Sequence, residues 1–277
     1  MILVTGATGN VGGELVRALV RGGEEVRALI RRDADRSRLP AGAEGFVGDL
    51  NRPETLVPGL DGVHGAHLLS GYADMPGLLA AIRQAGVERV TLQSSSAVPG
   101  GDMSNAVARY HILSETAVRE SGVAWTFLQP NTFMTNTLQW VPQLRAGDVV
   151  RAAFPGVPVA TIDPYDIAAV AMEALTSDRH EGRSYRLSGP ESLLPADRVT
   201  TLGAVLGREL RFEGQSDEEA KAEMTASMPA EYVDAFFSFF ADGTVNESEV
   251  LPTVEEITGR PPRTFQQWVA EHAEAFQ

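Results

Sequence analysis

The chain reaches the end of its first apolar run at residue 4 and then turns through three glycines. Val4-Thr5-Gly6-Ala7-Thr8-Gly9-Asn10-Val11-Gly12 follows the short strand-like Ile2–Val4 and opens an amphipathic stretch from Val11 to Arg21. In that context each glycine has a separate physical task. The first permits a tight turn, the second lets backbone approach a pyrophosphate with no Cβ in the way, and the third allows close helix–strand packing. The helix that follows presents unsatisfied N–H groups and the positive end of its dipole to an anion. Gly6, Thr8, Gly9, Asn10 and Val11 are therefore expected to hold a dinucleotide.

The first 130 residues alternate short β-branched or leucine-rich runs with amphipathic stretches, the pattern of successive βα units and a parallel sheet. Strands are predicted at Ile2–Val4, Glu25–Ile30, Glu44–Val47, Gly65–Leu69, Arg89–Gln93 and Ala124–Leu128, with helices at Val11–Arg21, Pro76–Ala85 and Ser104–Ser121. After Pro130 the alternation stops. Asn131–Ala160 mixes aromatic residues, proline and glycine without a sustained period. Asp163–Thr176 is again helical, Ser184–Ser188 reads as a returning strand, and Pro195–Leu206, Asp217–Ser227 and Glu231–Phe240 are predicted helices. The expected fold class is α/β, a Rossmann-like doubly wound parallel sheet with a smaller, discontinuous C-terminal substrate lobe. Residues 1–130, rejoined by 161–188, would form the dinucleotide-binding domain, and 131–160 with 189–277 the substrate or partner lobe.

The second predicted strand ends in Arg31-Arg32, where a site for NAD would carry a carboxylate to bind the ribose 2′-hydroxyl. Guanidinium groups there suit a 2′-phosphate, which a carboxylate would repel. This points to NADP(H) as cofactor, with Arg31 and Arg32 in contact. The cluster also contains Arg27, Arg36 and Arg38, a local reversal of sign in a chain of formal net charge −14. Gly48-Asp49-Leu50 ends the third strand, where the Asp49 carboxylate either accepts from the adenine amino group or caps the segment that follows.

Other classes are disfavoured. The net negative charge repels a phosphate backbone, so no direct nucleic-acid partner is expected. The chain has no cysteine, which removes thiol nucleophiles and thiolate metal sites, and its histidines show no metal-ligand spacing. No run is long and apolar enough for a membrane span, and the N-terminus shows no leader-like pattern, so a cytoplasmic protein is expected.

Gly6-Ala7-Thr8-Gly9-Asn10-Val11-Gly12 with Arg31, Gly48-Asp49-Leu50 and Gln93-Ser94-Ser95-Ser96 resembles the NmrA-like family of atypical short-chain dehydrogenase/reductases, and is especially similar to its NAD(P)H-dependent quinone oxidoreductase members. The likeness continues through His111–Glu115, Trp125–Asn131 and Asp163–Ala168 to Val254–Phe265. The resemblance implies an oxidoreductase passing hydride from NADPH to a quinone or other small apolar carbonyl or enone acceptor. The family also contains non-catalytic NADP(H)-binding redox sensors that act through a protein partner, the alternative reading. The tyrosine–lysine pair of the short-chain reductases is missing: Tyr110 is followed four residues later by Ser114, and His111 stands where several members hold lysine.

His111 is the candidate for the nicotinamide ribose or for proton donation, with Glu115 one turn on placed to orient its ring. Leu69, Ser70, Ser94 and Pro130, at strand ends, are expected to complete the cofactor contacts. Ser95, Asn131, Phe133 and Met134 are expected to line the substrate pocket, with Trp140 in an apolar roof. Phe236–Phe240 is expected to pack in the core, the usual place of aromatic residues at helical spacing, with the roof as the alternative for part of it.

Overall fold

The computed structural model describes residues 1–277. Its contacts divide the chain into two compact units, one of residues 1–98, 110–130 and 164–186, the other of 99–109, 131–163 and 187–277.

In chain order the strands are β1 (Ile2–Val4), β2 (Val26–Ile30), β3 (Ala43–Val47), β4 (Gly65–Leu69), β5 (Arg89–Gln93), β6 (Ala124–Pro130), β7 (Val149–Ala152), β8 (Arg183–Leu187) and β9 (Arg211–Gly214). The helices are α1 (Asn10–Arg21), α2 (Met75–Gln84), α3 (Ala106–Glu120), α4 (Val141–Ala146), α5 (Pro164–Thr176), α6 (Pro195–Leu206), α7 (Asp217–Ser227), α8 (Ala230–Phe240), α9 (Thr253–Thr258) and α10 (Phe265–Glu271). The large sheet runs β3-β2-β1-β4-β5-β6-β8, and β1 to β6 pair in parallel. Strand order therefore reverses between β1 and β4, which puts a crevice beyond their carboxyl ends.

Alternation along the strands assigns the two faces. Leu3, Ala66, Leu68, Val90, Leu92 and Phe127 point to one side and form a single apolar core with Leu78, Leu79 and Ile82 of α2 and Val118 of α3. The other face is covered by α1, packed on the alanine-rich α5, which lies over β4, β5 and β6. Small side chains let these helices approach the sheet closely, and a Cβ at Gly22, at the end of α1, would fall 2.7 Å from the Met172 methyl.

That second face carries a row of polar residues, His67, Thr91 and Thr126 being in register with one another and with Val4. His67 is fully buried, with Nδ1 2.9 Å from Thr91 Oγ1 and Nε2 unpartnered. Burial lowers its pKa from 6.5 to about 4, because charging an imidazole among apolar neighbours is costly. The unfolded chain thus takes up the proton first. Stability is complete above pH ~6.5 and falls as pH drops towards ~4, by roughly 3 kcal/mol from this group. Urea midpoints measured across that window should fall more steeply for the wild type than for His67→Gln, and parallel slopes would show that His67 is not the source.

The second unit has its own core, built from Met134, Trp140, Leu144, Val199, Leu202, Phe265, Trp268 and Phe276. Its small sheet pairs β7 with β9 in parallel, across 62 residues of sequence at Val149 and Arg211. The Ser216 hydroxyl and the Glu219 carboxylate cap the start of α7 reciprocally, a device that satisfies two otherwise orphaned donors.

Candidate functional site

The switch point of the large sheet is occupied by the glycine-rich turn. Gly6 adopts φ +61°, and a Cβ there would also meet Leu69 Cδ1 at 2.9 Å, so Leu69 closes the turn from β4. Gly12 lies against the turn itself: a Cβ would fall 2.3 Å from the Gly6 carbonyl oxygen. Gly9 differs from both. It is exposed, has an ordinary φ of −92° and would bring a Cβ near only the Gly6 carbonyl, at 3.2 Å. Gly6 and Gly12 are glycines because the fold needs them, whereas nothing in the protein fills the space over Gly9. Asn10 is exposed and Val11 is buried in the first turn of α1.

Around the ends of β2 and β3 the arginines sort themselves. Arg27 bonds Glu44 and the carbonyls of Gly59 and Asp61. Arg32 pairs with Asp35, Arg36 pairs with Asp33 and donates to the Gly45 carbonyl, and Arg38 reaches Asp35 and donates to Thr8 O at 3.2 Å. Arg31 is exposed and forms no ion pair. Arg31 and Asp49 both act on the Tyr72 phenol, which burial pushes up to about 12 against the lowering field of Arg31. Asp49 Oδ1 accepts from the Asn51 N–H at 3.0 Å, so part of its carboxylate shapes the turn after β3. The Leu50 side chain is packed in the core, leaving only its backbone for the rim. Two residues here went unassigned by sequence reasoning: Arg38, whose bond spans 30 residues to the glycine-rich turn, and Tyr72, which no local pattern marks.

At the ends of β5 and β6, Ser94 donates to Glu115 Oε1 at 2.6 Å and Gln129 Nε2 donates to the same oxygen at 2.8 Å. Arg119 meets Glu115 Oε2 at 2.9 Å. Glu115 is fully buried, and its charge is compensated by these donors. This corrects the expectation that Glu115 orients His111: the carboxylate is committed to the strand ends. His111 instead has a buried, unpartnered Nδ1, lies with its ring 4.1 Å from that of Tyr110 at a tilt of 34°, and is lowered by burial to about pKa 4. It is a neutral imidazole at pH 7. Ser114, at the place where a lysine would complete a tyrosine–lysine pair, accepts the Gly71 N–H at 3.0 Å and so anchors the loop after β4. Ser70 donates to Gln93 O, Ser95 Oγ accepts the Ala97 N–H, and Pro130 O accepts the Ser96 N–H.

The remaining predicted pocket residues belong to the second unit. Asn131 is buried, donating from Nδ2 to the carbonyls of Ala160 and Glu247, with Oδ1 unpartnered. The Glu247 carboxylate accepts both the N–H and the hydroxyl of Thr132, a tie from the tail that lies 115 residues away. Phe133 is half-buried and bridges to Ile162. The Met134 side chain is committed to the core, as is Trp140.

A doubly wound parallel sheet with a glycine-rich turn and a helix N-terminus at its switch point defines the dinucleotide-binding Rossmann class. Within that class, the chain belongs to the NmrA-like family, whose profile matches residues 1–268. It is 42% identical over 280 residues, 100% of this chain and 99% of the relative, to a (4-alkanoyl-5-oxo-2,5-dihydrofuran-3-yl)methyl phosphate reductase of Streptomyces griseus. It is 35% identical over 285 residues, 100% of this chain and 99% of the relative, to an NAD(P)H azoreductase of Xenophilus azovorans. Among solved structures, an NADPH-dependent quinone oxidoreductase of Escherichia coli in complex with NADPH superposes with TM-score 0.81, at 23% identity, over 99% of this chain and 100% of that one. No helix is long and apolar enough to cross a membrane.

Proposed function

We propose that the protein is an NADPH-dependent reductase of a small conjugated acceptor, a quinone or an enone. The observation that carries this reading is the pairing of an open, Cβ-free approach at Gly9 with an uncommitted guanidinium at Arg31, while the arginines around it are engaged. The Gly9 turn and the first turn of α1 would hold the pyrophosphate, Arg31 the 2′-phosphate, and Asp49 and Tyr72 the rim near the adenine. The relatives support the chemistry, since two matched over their full length are named as reductases and a third, 24% identical over 98% of this chain, is the Escherichia coli quinone oxidoreductase 2.

When bound, NADPH supplies the hydride. The chain's own contribution is binding and orientation rather than acid catalysis: Ser114 is committed to the Gly71 backbone, and His111 stays neutral. Its orphaned Nδ1 is suited to one hydrogen bond with the cofactor ribose, which would satisfy a group otherwise costly to bury. A conjugated acceptor fits this site because the charge left by hydride is delocalised and needs no strong acid beside it.

Arg31→Ala should erase a preference for NADPH over NADH of at least ~10-fold, worth about 1.4 kcal/mol. Calorimetric titration with both nucleotides checks this, and a variant that keeps the preference would place the 2′-phosphate elsewhere. As the loss of a group that orients the cofactor, His111→Ala should lower kcat/KM for NADPH oxidation across a panel of quinones and enones by roughly 10- to 100-fold. The wild-type profile should lack a break near pH 6.5, since the imidazole is already neutral there. An unchanged rate with every active acceptor would make His111 structural. Tight NADPH binding with no turnover of any acceptor would favour a redox sensor.

A further inference from the structure

The second unit contains a cavity of about 630 Å³ formed by its own residues. One wall is apolar: Met224, Met228, Phe236 and Phe240 line it, and Phe154 stands at its side. Phe154 is the one non-glycine residue with positive φ, +54°, and its ring meets Phe237 at 5.1 Å and Phe240 at 5.3 Å. A bulky residue is held in the left-handed region only where its surroundings fix it, and such positions cluster at binding sites.

Opposite in character is Arg198 of α6. It also lines the cavity, its guanidinium 5.2 Å from the Trp140 ring centroid. The Nε atom is buried without a hydrogen-bond partner, and the side chain forms no ion pair. Burial alone draws its pKa down to about 10, with no carboxylate opposing the shift. Of the other charged groups of the lining, Arg151 is paired with Glu219 at 2.9 Å, and Glu223, which forms no ion pair with Arg198, accepts from the Gln215 amide at 2.5 Å. A largely buried cation with no acid beside it is expensive unless an anion arrives from outside.

We propose that this cavity binds an anionic amphiphile, a phosphate monoester or carboxylate bearing an apolar chain, with Arg198 receiving the anion and the methionine–phenylalanine wall receiving the chain. Making that ligand the acceptor rests on the reductase reading, whereas the binding itself does not. Planar guanidinium suits either oxyanion in bidentate fashion, and methionines adapt to an alkyl chain of variable shape.

Calorimetry of the full-length protein with octyl phosphate, octanoate and octanol tests this. Octyl phosphate or octanoate is expected to bind at least ~10-fold more tightly than octanol, and the tighter of the two anions identifies the head group. Arg198→Gln should remove the advantage while leaving octanol and NADPH affinities unchanged, and Arg198→Lys should restore part of it. Equal binding of all three probes to the wild type, a comparison that needs no variant, would overturn the proposal. So would an Arg198→Gln variant that retains the preference. Loss of NADPH binding by the wild type would instead refute the reductase reading and leave this titration standing.

Discussion

Gly9→Val is expected to leave the protein folded and to weaken NADPH binding by ~100-fold or more. The backbone at Gly9 is ordinary, and an added Cβ meets only the Gly6 carbonyl oxygen at 3.2 Å, so the fold can absorb the side chain with a small shift. The isopropyl group would then stand where the pyrophosphate must approach. Gly12→Ala is the informative contrast. Its Cβ would lie 2.3 Å from the Gly6 carbonyl oxygen, 2.6 Å from the carbonyl carbon and 2.9 Å from Thr5 O, all backbone that cannot rotate away. That variant should lose about 3 kcal/mol or more of stability through overpacking, whatever the cofactor does. Circular dichroism and urea unfolding separate the two. A folded Gly9→Val protein that still binds NADPH normally would put the cofactor somewhere other than the switch point.

Glu115→Ala is expected to cost about 3 kcal/mol of unfolding free energy, the low end for breaking a buried charge network. The loss has two sources. The Ser94 hydroxyl and the Gln129 amide, both buried, would be left without their acceptor, and a cavity would open under α3. Arg119→Ala should cost less, about 1–2 kcal/mol, because the buried Glu115 carboxylate loses its ion pair but keeps the Ser94 and Gln129 donors. Urea denaturation of the two variants checks the ordering. If Glu115→Ala lost no more than Arg119→Ala, the convergence of β5, β6 and α3 on one carboxylate would be incidental to stability.

The two halves of the chain differ in how far they could be read from sequence, and the reason is the range of the interactions that define them. From Ile2 to Pro130 each strand and helix carries its own period, and the strands of the sheet appear within a residue or two of their expected bounds, β6 running on to Pro130. The glycine spacing marked the turn because steric need is local. Residues 131–160 carried no such period: Met134–Trp140 forms a 3-10 segment, and β7 is four residues long. It finds its only partner, β9, far along the chain, so neither strand is announced by local pattern.

Side-chain roles followed the same rule. Arg31 stood out by position alone, but that Arg32 would be engaged by Asp35 and that Arg38 would reach Thr8 depend on how the chain folds back after β2. Glu115 lies one turn from His111 in sequence, yet its best partners come from two strands. Helical spacing says which groups can meet along one helix, and nothing about competitors from the sheet. Glu247 and Arg198 were invisible for a similar reason: a lone acid and a lone arginine in an acidic, charged tail become distinctive only once the bonds from Thr132 to the buried Glu247 and the burial of Arg198 Nε are known.

The most direct test is an anaerobic single turnover: the protein is loaded with one equivalent of NADPH, mixed with a quinone or enone, and both reactants are followed. The reductase account expects one acceptor reduced for each bound NADPH consumed, with the reaction lost in Gly9→Val. Bound NADPH that survives every acceptor of both classes would contradict it.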